Sequence, residues 1–247
     1  MWLGQAGFAL SSDGCLVLID PYLSDHLAVK YKGTDKPHVR LMPPPVRADE
    51  IPGVTVVLCT HRHGDHMDPV ALPVLAKHNP ACRFIVPKAD VEQAEALGLV
   101  VTGMNADETV TMDGVTITAI AAAHEELKVN ARGEHHWLGY IVRMGGKTIY
   151  HSGDCVPYEG LPERLATERI DVALLPVNGR GKGVPGNFTF EEAVALCRAA
   201  RIPALVAHHF GMFAFNTVDE AELERKLAGL AMGLRAMVPR VNERYAL

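Results

Sequence analysis

The sequence predicts an α/β fold on three observations. Short apolar, β-branched runs are bounded by turn residues, stretches of helical apolar spacing separate several of them, and polar metal-type side chains sit just past the ends of the runs. A chain of 247 residues can bury a sizeable core. No repeat, low-complexity tract or linker divides it, so one domain spanning 1–247 is expected.

Residues 2–10 and 15–19 read as strands joined across Ser12-Asp13-Gly14, a turn of the Asp-Gly type. The second strand ends in Asp20-Pro21. A carboxylate at a buried strand end needs a partner, so Asp20 either fixes the tautomer of a ligand histidine or caps the next turn. Residues 24–52 are polar and proline-rich, including Pro43-Pro44-Pro45, and read as a long surface excursion forming one wall of a substrate pocket. Residues 54–59 form a buried-type strand, followed after a polar turn by a helix to about Asn79, a strand over 83–86 and a helix over 89–97. Residues 109–123 read as a hairpin about Asp113-Gly114 that runs into His124. After a polar segment, a second hairpin about Gly145-Gly146 runs out into His151-Ser152-Gly153-Asp154. A helix over 161–169 and a strand over 171–177 precede the glycine-rich loop 178–183. Thr189 with Glu192 forms a capping box for the next helix, and the strand 204–207 delivers His208 and His209. Thr217 with Glu220 predicts a cap for the helix 221–228, and a short strand around 235–241 closes the chain.

Composition narrows the function. No apolar run approaches a membrane span and no signal-peptide pattern opens the chain, so a cytoplasmic protein is expected. Cys15, Cys59, Cys82, Cys155 and Cys197 are odd in number and scattered, which argues for a reducing compartment. A net charge of −5 without a basic run gives no footprint for nucleic acid.

The chemistry is concentrated in Thr60-His61-Arg62-His63-Gly64-Asp65-His66-Met67-Asp68, a strand-to-helix turn that can aim several side chains at one point. Imidazole and carboxylate suit borderline divalent metals, and Gly64 lets the backbone fold tightly between the donors. The spacing H-x-H-x-D-H supplies four donors, whereas one ion in a catalytic site takes three protein ligands plus water, so a second ion is expected. His61, His124, Asp154 and His208 each stand just past a predicted strand, where layered α/β folds build their sites.

These segments resemble the metallo-β-lactamase superfamily. Within it, Ile19-Asp20-Pro21-Tyr22-Leu23-Ser24-Asp25, Tyr150-His151-Ser152-Gly153-Asp154 and residues 203–213 resemble L-ascorbate-6-phosphate lactonase and its uncharacterised relatives. The resemblance covers nearly the whole chain and implies a four-layer αββα sandwich. It implies that His61, His63 and His124 hold one divalent ion, that Asp65, His66 and His208 hold a second, and that Asp154 bridges them. His208 and His209 stand side by side, and adjacent strand residues face opposite ways; the match to the family's strand-end position favours His208. His63 stands where the oxygen-reducing diiron branch usually has Glu, which favours hydrolysis over redox chemistry.

The resemblance thus implies a metal-dependent, lactonase-like hydrolase. Two zinc or manganese ions would share a hydroxide that attacks a small anionic ester or lactone, such as a sugar-phosphate lactone. Asp65 and Asp154 would be its catalytic carboxylates, with Asp65 orienting the nucleophile and moving its proton. A phosphodiesterase of the same superfamily keeps the metals and changes the electrophile. A non-catalytic, metal-stabilised binding module would predict missing ligands, yet all the positions are filled. Arg180 and Lys182 in the glycine-rich loop are candidates to grip an anion, and His151, Tyr158, His136, Trp137 and Asn216 flank the expected ligands. The resemblance also hints at a homo-oligomer.

Overall fold

Strand residues alternate between two cores. Val17, Ile19, Val56 and Leu58 share one with Ile117, Ala119, Tyr140 and Val142, whereas Leu18 and Val57 pack the other way with Leu72, Leu75 and Ala94. That pattern requires a sheet covered on both faces. The computed structural model describes residues 1–230 and 233–246.

The first half contains β1 (Trp2–Gly4), β2 (Gly7–Ser12), β3 (Cys15–Ile19), α1 (His26–Lys30), β4 (Val56–Leu58), α2 (Ala71–His78), β5 (Arg83–Pro87), α3 (Val91–Glu95) and β6 (Val101–Met104). The second contains β7 (Thr109–Met112), β8 (Val115–Ala121), β9 (Leu138–Met144), β10 (Lys147–His151), α4 (Leu161–Ala166), β11 (Val172–Pro176), α5 (Phe190–Ala199), β12 (Ala204–His208), α6 (Glu220–Ala228) and β13 (Arg235–Met237). The first six strands form one sheet in sequence order, and the other seven form a second in the order β13-β12-β11-β10-β9-β8-β7. Helices α2 and α3 cover the outside of the first sheet, and α5, with α4 beside it, covers the second. The result is the expected αββα sandwich.

Direction within the sheets positions the site. Strands β3 and β4 are parallel, β10, β11 and β12 are parallel, and β8 runs the same way as β10 because β9 is antiparallel to both. Within each sheet these strands therefore release their carboxyl ends at one edge. None of the described helices is long and apolar enough to cross a membrane.

The structure departs from the sequence reading in several places. The opening strand breaks at Gln5-Ala6, the excursion carries the short α1, and β6 adds a strand that the sequence reading did not predict. Helix α6 is capped by Asp219, whose side chain accepts from the Glu222 N–H, because Thr217 Oγ1 is already engaged by the Gly211 N–H. At the other capping box, Thr189 and Glu192 exchange both bonds. All five cysteines are free.

One carboxylate ties the histidine turn to the fold. Asp68 accepts hydrogen bonds from the N–H groups of Leu23, Ser24, Val70 and Ala71 and from the Ser24 hydroxyl, at 2.8 to 3.1 Å. It thereby caps α2 and pins the start of the excursion. Asp68→Ala leaves these donors unpaired, and about 3 kcal/mol of stability is expected to be lost. A thermal melt should show a midpoint roughly 6–12 °C lower.

Candidate metal centre

Beyond β4 the chain doubles back so that His61, His63, Asp65 and His66 converge. Gly64 serves this turn through space, since a Cβ there would meet Leu27 Cδ2 at 2.9 Å and its backbone is not left-handed. The orientation of His66 is set from β3. Asp20, just past that strand with φ 45°, accepts from the Thr60 N–H and the Thr60 hydroxyl at 2.7 Å each, and its Oδ2 lies 2.7 Å from His66 Nδ1. Of the two roles open to Asp20, the structure places it on the histidine. His66 Nε2 is then left facing inward.

The remaining donors arrive from the second sheet. His124 follows β8, with its ring 5.2 Å from that of His63 and 5.7 Å from that of His61. Asp154 follows β10 through Gly153, whose φ is 62° and whose missing Cβ would meet Leu138 O at 2.7 Å. Only glycine lets the chain pass there. Asp154 Oδ1 lies 3.3 Å from both His66 Nε2 and His209 Nε2, and Asp65 Oδ2 lies 3.8 Å from each. His61 Nε2 and His63 Nδ1 are 3.0 Å apart.

His209, not His208, is thus the strand-end histidine that joins the cluster. His208 still pairs within β12, and its ring turns into the core, stacked on His151 at 4.7 Å with the Phe8 ring edge-on at 5.7 Å. His209 leaves the strand in the left-handed region, φ 62°, and its N–H donates to Gln5 O. That turn carries the second imidazole to the donors.

Several expected substrate contacts are occupied elsewhere. Arg180 pairs with Glu192 and donates to Asn187 O, and Lys182 donates to the carbonyls of Asn178 and Thr217. His151 is buried between Ala6 O and the Gly153 N–H, and the Tyr158 hydroxyl donates to Ala121 O. Asn216 does face the cavity described below. Trp137 packs its ring 5.8 Å from that of His124 and 6.5 Å from that of His61. His136 Nδ1 lies 3.6 Å from Asp90. Gln5 was missed altogether: its amide N–H donates to Asp65 Oδ2 at 2.9 Å. The signal was a polar residue between Gly4 and Gly7 inside an apolar run, which marks a close backbone approach.

Mutual electrostatics hold the cluster together. Burial alone would raise the Asp154 carboxyl, but His209 and His66 outweigh it and hold it well below the usual carboxylate range. Burial opposes charge on His66 too, yet Asp154, Asp20 and Asp65 drive it well above the ordinary histidine value. Burial lowers His63 to about 4, and burial followed by His66 and His63 drives His61 well below its usual value. Among the described residues, His66 Nε2, His124 Nδ1 and Asp154 Oδ1 are buried without a hydrogen-bond partner. Nitrogen and carboxylate donors left bare in this way fit a divalent cation.

A cavity of about 630 Å³ opens over His63, Asp65, His124, Asp154 and His209. The excursion supplies one wall through Tyr31 and His38, and Phe213 and Phe215 supply another. Its cationic groups are Lys30, Lys36 and Arg62. Lys36 also bonds Gly183 O, tying the excursion to the glycine-rich loop.

Known proteins resemble this chain in sequence and fold. The family model described as the beta-lactamase superfamily domain matches residues 16–210. A UPF0173 metal-dependent hydrolase of Thermococcus kodakarensis is 32% identical over 91% of this chain and 89% of its own. One from Thermoplasma acidophilum is 28% identical over 98% and 96%. The crystal structure of a possible metal-dependent hydrolase from Veillonella parvula superposes with a TM-score of 0.79 at 20% identity, covering 97% of this chain and 95% of that one.

The two neighbouring histidines separate by experiment. Burial first, then His151 and His209, hold His208 well below its ordinary value, and burial lowers His151. The unfolded chain therefore takes up protons below about pH 6.5 that the folded chain refuses, and stability falls as pH drops through that point. Urea unfolding of chelator-treated protein should show less loss between pH 7.5 and 5.5 in His208→Phe than in wild type, by about 1 kcal/mol. His208→Phe should also keep the bound metal that His209→Phe loses, read by elemental analysis.

Proposed function

Because the chain belongs to the UPF0173 metal-dependent hydrolase family of the beta-lactamase superfamily, we propose that its donor cluster holds two divalent ions, zinc or manganese, and hydrolyses a small anionic ester or lactone. The observation that carries this reading is the pair of overlapping donor groups. His61, His66 and Asp154 form one, Asp65, His66 and His209 the other, each with its ligand atoms within 4.8 Å of one another. His63 and His124 complete the first side, and Asp154 serves both. When bound, such ions supply Lewis acidity, generating a nucleophile from water at neutral pH and polarising the oxygen under attack.

The residues divide the remaining work by position. Asp65 has 15% of its side chain exposed against 6% for Asp154, and both border the cavity. Asp65 is therefore the carboxylate that can orient water and pass a proton outward. Asp154, pinned between His66 and His209, holds the two sides together. Lys30 and Arg62 favour an anionic group on the substrate, in place of Arg180 and Lys182, whereas Lys36 is held by Gly183 O and Asp35 lines the same cavity. The aromatic walls exclude water from the remainder. A sugar-phosphate lactone satisfies these demands, as does a carboxylated ester.

Two measurements test the proposal. Metal analysis of purified protein is expected to find two ions per chain. Asp65→Asn and Asp154→Asn are expected to lower turnover of phosphorylated lactones or carboxylated aryl esters by about 10²-fold or more. Retained hydrolysis in both variants after metal loss would exclude the mechanism. Faster cleavage of bis-p-nitrophenyl phosphate than of any lactone or ester would redirect the reading to phosphoryl transfer.

A further inference from the structure

The turn between β1 and β2 reaches the centre from the far end of the chain. Gln5 is fully buried and holds φ 49°. Its carbonyl accepts from the Trp2 indole N–H at 3.0 Å and from the His209 N–H at 2.9 Å, and Ala6 O next to it lies 2.8 Å from His151 Nε2. Its side-chain Nε2 donates to Asp65 Oδ2 at 2.9 Å and lies 3.2 Å from His209 Nε2. Among the described residues, Gln5 Oε1 is buried without a partner. The Gln5 amide is thus as close to Asp65 and His209 as the donors are to one another, since Asp154 lies 3.3 Å from both His66 and His209.

We propose that Gln5 is a positioning residue of the half-site formed by Asp65, His66 and His209, holding the Asp65 carboxylate in place for a divalent cation. The proposal rests on the two-ion reading above. A carboxamide suits the task because it donates a hydrogen bond without adding charge. A lysine there would compete with the cation, and a carboxylate would repel Asp65. Once His209 Nε2 gives its lone pair to an ion it can no longer accept from Gln5, so Asp65 is the acceptor that remains. The main-chain carbonyl acts separately by fixing the backbone of His209, and that bond survives any change of side chain.

The test is calorimetric titration of Zn²⁺ into metal-stripped wild type, Gln5→Met, Asp65→Asn and the double variant, with thermal melts in chelator to compare the folds. Gln5→Met keeps the size and loses the amide. It is expected to leave one zinc affinity unchanged and weaken the other by about tenfold or more. The same affinity should fall in Asp65→Asn, and the two losses should not add in the double variant, because Gln5 acts on the cation only through the Asp65 carboxylate. Gln5→Asn provides a second variant, since asparagine tolerates the left-handed backbone but is a methylene too short to reach Asp65, and the same loss is expected. Two zinc affinities within threefold of wild type in both variants, or additive losses in the double variant, would overturn the proposal. Fewer than two zinc ions on wild type would instead overturn the two-ion reading on which it stands.

Discussion

The short contact between Asp20 and His66 is the constraint on which the centre depends. His66 belongs to both donor groups, so its ring plane decides whether they overlap. That plane is set by Asp20, which is itself anchored by the Thr60 N–H and hydroxyl. The end of β3 therefore braces the turn after β4, and neighbouring parallel strands act as a rigid jig for an imidazole. Removing water from so many polar groups is costly, and the network is tolerable because most members answer another. Among those without a partner are His66 Nε2 and Asp154 Oδ1, which lie 3.3 Å apart in the shared centre.

Some of the chain's backbone strain falls in the same place. Gln5, Asp20 and His209 all have positive φ without being glycine, and each touches a member of the cluster or belongs to it. Residues held in this region cost on the order of 1 kcal/mol or more each and persist only where the surroundings over-determine them. Here they do, since the Gln5 carbonyl receives both the Trp2 indole and the His209 amide. Tertiary contacts thus supply a conformation that local preference opposes.

That opposition explains what could be read from the chain and what could not. The turn of residues 60–68 and the strand ends before His124 and Asp154 follow from hydrophobic periodicity, which is local, and the structure brings these residues together. The choice between His208 and His209 depended on a left-handed residue at the strand exit, and nothing in the alternation of side chains encodes one. The family's strand-end position pointed to the wrong neighbour for that reason. Gln5 was hidden inside what read as a continuous strand, although its flanking glycines marked the break. Arg180 and Lys182 looked free because loop cations usually are; here Glu192 and nearby carbonyls claim them. The family motifs, by contrast, identify a fold without specifying the walls of the cavity.

Those walls come from segments that contribute little to either sheet. Tyr31 and His38 stand on the excursion between β3 and β4, and Phe213 and Phe215 follow β12. The donors stand on strand exits that the sandwich cannot shift without losing its core. In the proposed hydrolase the donors and the cavity walls are consequently carried by separable parts of the polypeptide, one fixed by the core and the other outside both sheets. A lineage with this layout can acquire new appetites by remodelling its periphery while the machinery beneath stays as it was.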